Sequence, residues 1–160
     1  MDFVWFIIRL FKSLNIEKNT RGKMFLKRAT LDARQVAWDS AVVVDEYNPD
    51  RIRQDACGAW IAYDDFNNKN SLFGWEIDYI FPLSRLQQLG VPQELWNHPL
   101  NIRALHWKNR FSKGNSYPRY TSTVVDGGAT NMEQHVVFWV SDPLQYKLQK
   151  VFKLKNSLLY

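Results

Sequence analysis

Two short apolar runs, parted by a turn-rich excursion and followed at once by a basic segment, constrain this chain most. WEIDYIF (75–81) reads as a strand that stops at Pro82, because proline cannot donate to a sheet ladder. LNIRALHW (100–107) reads as a second strand, and KNRFSKGN (108–115) as the start of a helix or helical turn. Residues 83–98 between them hold a short helical stretch at SRLQQL and a turn at Gly90. The expected order is strand, excursion, strand, helix.

The rest of the chain adds elements on both sides. Residues 2–14 suggest a helix whose apolar face packs on the domain or on a protein partner, and a membrane-surface helix is the alternative. Residues 15–29 are polar and basic and read as a linker or exposed turn. Leu31, Val36 and Ala37 give a partial apolar stripe for a second helix near 30–40. AVVVDEY (41–47) fits either a helical extension or a short strand, and GAWIAY (58–63) fits a strand. Downstream, TSTVV (121–125) and EQHVVFWV (133–140) flank Gly127-Gly128 and read as a hairpin. Asp142 as N-cap and Pro143 at the first helical position then open a C-terminal helix with a solvated lysine face.

With 160 residues the chain suits one domain, with an N-terminal helical extension (1–40), a core (about 53–118) and a C-terminal hairpin and helix (119–160). A hydrophobic fraction of 46% with 15% aromatics is that of a folded globular chain and excludes a disordered one. The net charge of +5 suits an anionic partner such as nucleic acid. Cys57 is the one cysteine, which excludes an internal disulfide and a four-cysteine zinc clamp. The apolar run Phe3–Ile8 is broken by Arg9 and is too short to span a bilayer, so no transmembrane segment is expected. No basic stretch precedes it and no small-residue cleavage site follows it. A cytoplasmic location is the expectation.

The region from Gly74 to Pro118 resembles the HNH endonuclease family. That family's motif runs D-H-I-x-P, then N-L or N-I, then N-x-x-K or N-x-x-x-K. The upstream pieces R-x-D-x-C-G-x-W-I (Arg53 to Ile61) and G-W-E-I-D (Gly74 to Asp78), and the closing L-H-W-K-N (Leu105 to Asn109), look like one subgroup of it. The resemblance covers about residues 38–118 and implies an α+β fold with a ββα-metal core. It implies a divalent-metal-dependent endonuclease that hydrolyses phosphodiester bonds of DNA, double-stranded by expectation. The metal would be Mg²⁺, with Mn²⁺ or Zn²⁺ as alternatives. Oxygen ligands suit a hard cation, which would place positive charge beside the scissile phosphate.

Carried over residue by residue, Asp78 matches the metal-binding Asp, and Asn101 matches the Asn that ties the loop and orients the base. Asn109 matches the second metal ligand if the closing motif is N-x-x-x-K, and Lys113 is then its basic residue. With N-x-x-K the ligand position falls on Arg110, which cannot bind a cation. Lys108, Arg110, Lys113 and Arg119 are the expected phosphate contacts. The residues also have plainer readings: Asp78 as a strand-end turn residue, Asn101 as a loop tie, Asn109 as a helix N-cap, Lys113 solvated and His106 structural.

One letter departs from the pattern: the family's general-base His falls on Tyr79. An unperturbed tyrosine titrates near pH 10 and histidine near 6.5, so roughly one phenol in a thousand is ionised at pH 7. Three options follow. The enzyme is slow, with Tyr79 or metal-bound hydroxide serving; His106 replaces the base; or the module is degenerate and binds nucleic acid or a protein partner without cleavage. Tyr79 as an ordinary packing aromatic fits the last.

Overall fold

The computed structural model describes residues 16–18, 24–26 and 32–154. The chain divides into two compact units, Met1–Asp32 and Ala33–Tyr160. In the first, β1 (Ile16–Lys18) and β2 (Met24–Leu26) pair antiparallel with Glu17 opposite Phe25. The stretch 15–29, expected as a linker or turn, therefore holds two paired strands. The helix expected over 2–14, with the partner face assigned to it, lies outside the described residues.

The second unit is mixed α and β, with four helices among the described residues and small two-stranded antiparallel sheets. Helix α1 (Ala33–Ser40) buries Ala37 and Trp38. Val42 makes only an isolated bridge to Gln54, so AVVVDEY is neither a helical extension nor a full strand. Strands β3 (Ile52–Gln54) and β4 (Trp60–Ala62) pair across a tight turn. Gly58 in that turn has φ +83°, a conformation glycine adopts without steric cost.

The centre of the unit is β5 (Trp75–Tyr79) paired antiparallel with β6 (Ile102–His106). Gly74 admits β5 to its place: a Cβ there would meet the Asn68 carbonyl oxygen at 1.9 Å. Cross-strand partners share a face and successive residues alternate. Ile77 with Ala104 and Tyr79 with Ile102 therefore face one way, onto the cluster built around Trp38, Ile61 and Trp75. Glu76 with Leu105 and Asp78 with Arg103 face the other way. Leu105 there joins a second apolar cluster with Phe81, Leu86, Leu148 and Phe152.

Between these strands, α2 (Leu83–Gln88) and two single 3₁₀ turns carry the excursion. After β6 the chain passes at once into α3 (Trp107–Lys113). The C-terminal hairpin is a longer ribbon than one uninterrupted pair. Strands β8 (Val124–Asp126) and β9 (Asn131–Glu133) pair at its tip, and β7 (Arg119–Thr121) and β10 (Val137–Trp139) pair at its base. Buried Ser122 ties the two segments through its hydroxyl. Helix α4 (Asp142–Phe152) follows, with Ser141 rather than Asp142 at the cap position. Its Lys147 and Lys150, and Lys153 just past its end, are exposed, as a solvated lysine face requires. No helix among the described residues is long and apolar enough to cross a membrane.

Candidate functional site

Asp78 lies on the face of β5 that meets α3, and its carboxylate is completely buried. Arg103, its cross-strand partner, donates through Nε to Oδ2 at 2.8 Å. Lys113 at the end of α3 places Nζ 3.0 Å from Oδ1 and also donates to the Tyr79 carbonyl at 2.9 Å. Arg110, one turn earlier on the same helix, stands 3.6 Å from Oδ1. Three cations thus surround one carboxylate. Burial opposes the Arg103 charge, but Asp78 and Tyr120 beside it hold its pKa above the usual value. Burial pulls the Lys113 ammonium down, against the attraction of Asp78. Lys113, expected as a solvated or phosphate-facing residue, is only 1% exposed.

Tyr79 follows Asp78 in sequence but belongs to the opposite face of β5, where it packs against the Trp38 cluster. Its hydroxyl donates to Oδ1 of exposed Asn97 at 2.9 Å. The Tyr79 hydroxyl and the Asp78 carboxylate therefore have separate partners on separate faces. Asn101 does what a loop tie does. Its Oδ1 accepts the Phe81 N–H at 2.7 Å and its Nδ2 donates to the Phe81 carbonyl at 3.1 Å, which closes the excursion at its base.

Asn109 is buried, yet it is not an N-cap, because α3 starts at Trp107 and His106 caps it. Its Oδ1 accepts the N–H groups of Thr123 and Val124, each at 2.8 Å. Its Nδ2 donates to Asp55 Oδ2 at 3.0 Å and to the Val124 carbonyl. Asp55 gathers three further donors: the backbone N–H groups of Cys57, Ala59 and His106. Burial pushes the Asp55 carboxyl up, and these four donors oppose the shift.

His106 spends both ring nitrogens. Nδ1 accepts the Lys108 N–H at 3.2 Å, which leaves the proton on Nε2 to donate to the Leu72 carbonyl at 3.0 Å. Burial holds its pKa below the ordinary histidine value, and an imidazole with no unused lone pair is not poised as a base.

Whether these residues fit a divalent cation follows from their partners. At 4 Å and an effective dielectric of 20, a divalent ion gains about 8 kcal/mol from one carboxylate and loses about as much to each neighbouring cation. Around Asp78 the cations outnumber the carboxylate, and the Asn109 oxygen already takes two N–H groups. The residues present do not fit the metal the motif implies. Among the described residues no three His, Cys, Asp or Glu side chains come together as a metal-binding group. Of the expected phosphate contacts, Arg119 is exposed, the Arg110 side chain is 33% exposed, and Lys108 is ion-paired with Glu133.

Arg103 and Asp55 are the residues that reading the sequence did not single out as functional. Asp55 stood in the lead-in motif without a role. Arg103 has no local signal, because only the β5–β6 register sets it opposite Asp78. Comparison with protein-family models, with curated proteins and with solved structures returned no match.

Proposed function

We propose that this chain is an HNH-like ββα module that binds nucleic acid and does not cut it by metal-assisted hydrolysis. Order and position support the kinship: β5, β6 and α3 follow as strand, strand, helix, with Asp78, Asn101 and Asn109 at the motif's places. One observation carries the loss of cleavage. The Asp78 carboxylate is taken inside the protein by Arg103 at 2.8 Å and Lys113 at 3.0 Å. The oxygens that would bind a cation serve as counter-charge instead. The substitution at Tyr79 adds to this, since its hydroxyl bonds Asn97 on the other face. The net charge of +5 and exposed Arg119 support a polyanionic partner. A single buried cysteine is compatible with a reducing, cytoplasmic compartment.

Incubation of the purified protein with supercoiled plasmid, with Mg²⁺ or Mn²⁺ and then with EDTA, tests this reading. The expected result is retarded DNA at low salt, no nicking, and the same retardation in EDTA. Tyr79→His alone is expected not to restore cutting, because Asp78 stays paired. Nicking that EDTA abolishes would establish an active nuclease. Absence of retardation at low salt would remove nucleic acid as the partner and leave a protein partner.

A further inference from the structure

We propose that Arg103, Lys113 and Arg110 form an anion site that takes a backbone phosphate of the nucleic acid, with Arg110 as its arm into solvent. This rests on the nucleic-acid reading above and deepens it by naming the group bound and the residues that bind it. The charges around Asp78 carry the argument. Arg103 and Lys113 stand 2.8 and 3.0 Å from its carboxylate and Arg110 stands 3.6 Å away, so one negative charge faces three positive ones. No other acid among the described residues pairs with these cations. Glu76, on the same face of β5, pairs with Lys69 at 3.2 Å. Asp55 is held by the N–H groups of Cys57, Ala59 and His106 and by the Asn109 amide. Arg103 and Arg110 both press against the Lys113 charge, and of its charged neighbours only Asp78 supports it.

Hydrogen bonding leaves the same surplus. Arg103 spends Nε on Asp78 and Nη1 on the Tyr120 hydroxyl, while its buried Nη2 has no acceptor among the described residues. Arg110 is bonded through Nε alone, to the Ile77 carbonyl at 3.4 Å, and its Nη groups have no acceptor among the same residues. A buried donor without an acceptor is a group that a ligand oxygen can complete. The arithmetic that repels a divalent cation attracts an anion: one carboxylate opposes it and three cations draw it in. Arg110 gives the way in, since its side chain is 33% exposed and that of Lys113 only 1%. Its long contacts with Ile77 and Asp78 are weak enough for it to turn outward and bring an anion back against Arg103. Donor geometry selects the anion. Guanidinium forks match paired oxygens on one centre. Arg103 reaches from β6 and Arg110 from α3, so the bound group must offer oxygens to both. The tetrahedral oxygens of a phosphate do so, whereas those of a carboxylate lie in one plane.

Calorimetric titration with inorganic phosphate at constant ionic strength tests the site, and anisotropy of a labelled oligonucleotide titrated with salt tests the source of the phosphate. Wild type is expected to bind phosphate with or without EDTA, and Arg110→Gln to bind it about tenfold more weakly. With the oligonucleotide, Arg110→Gln should lower affinity and reduce the salt dependence by about one phosphate contact. Arg110→Lys keeps the charge without the fork, so it should hold the salt dependence and lose part of the affinity. Both variants change a part-exposed side chain and leave Arg103 and Lys113 on Asp78, so each is expected to unfold as cooperatively as wild type. Equal phosphate binding in wild type and Arg110→Gln, or none in either, would overturn the proposal, and plasmid retardation at low salt would then leave the nucleic-acid reading standing. Polyglutamate binding that depends on Arg110 and matches the oligonucleotide in affinity would also overturn it, giving the site to an acidic protein partner. Phosphate binding without binding of any nucleic acid would overturn both readings, the site then taking free phosphate.

Discussion

Asp55 and Asp78 are both buried carboxylates held by residues of β6 and α3, yet opposite means hold them. Asp55 is surrounded by N–H dipoles: three backbone groups and the Asn109 amide. Asp78 is surrounded by formal charges from Arg103, Lys113 and Arg110. Dipoles can satisfy a carboxylate's lone pairs without adding charge to the interior, and their short reach makes them a local tie. Cations neutralise from farther off, but each must itself be desolvated, so the centre stands only while its counter-charge is present. The Asp55 centre fastens the turn after β3 to β6 and α3. The Asp78 centre joins β5 to β6 and α3 through charge, in the place where the resembled family would hold a metal.

The sharpest way to break this contrast is to remove the charge of Asp78. Asp78→Asn keeps the shape and leaves Arg103 and Lys113 buried together without their counter-ion. The expected loss is about 3–5 kcal/mol, read from the urea midpoint at unchanged slope. Wild-type stability in this variant would show that the carboxylate is not the counter-charge. A metal ligand freed from cations would behave in that way.

Asp55→Asn is expected to cost less, about 1.5–3 kcal/mol, because the partners it abandons are N–H groups rather than ions. Part of the loss is offset, since burial already works against the Asp55 charge. A loss larger than that of Asp78→Asn would reverse the ranking and make Asp55 the principal electrostatic support.

The smallest effect concerns His106, which lies beside the Asp55 centre. Burial lowers its pKa, and nearby Lys108 lowers it further, while the Leu72 carbonyl and Asp55 raise it. The unfolded imidazole takes up its proton near pH 6.5, and the folded one does so only at lower pH. The unfolded state therefore binds more protons in that window, and stability falls as pH drops from about 6.5 through the folded value. His106→Asn can still cap α3 and should flatten this part of the profile in thermal unfolding. Equal slopes in wild type and variant would exclude His106 as the source.

Much of the site's scaffolding was legible from local pattern. WEIDYIF and LNIRALHW read as strands and are β5 and β6, and the segment after them is α3. The plain reading of Asn101 as a loop tie matches its two bonds to Phe81. Other positions were not legible for a shared reason. Lys113 reads as a surface lysine in any helical pattern, and only the packing of α3 on β5 buries it against Asp78. Arg103 sits in an apolar run with nothing to mark it. Asn109 looks like a cap or a ligand until the ribbon brings Thr123 and Val124 to its oxygen.

By itself the sequence determined the paired strands of the site, the helix after them, the surplus of positive charge and a tyrosine at the position where the resembled motif has histidine. Each of these depends on neighbours within a few residues, where side-chain period, proline and composition act. Tertiary structure alone decided what Asp78 does. Its charge partners are a cross-strand residue beyond a long excursion and two residues of a following helix. Coulomb interactions depend on distance in space and on burial, and neither is written in the order of the letters.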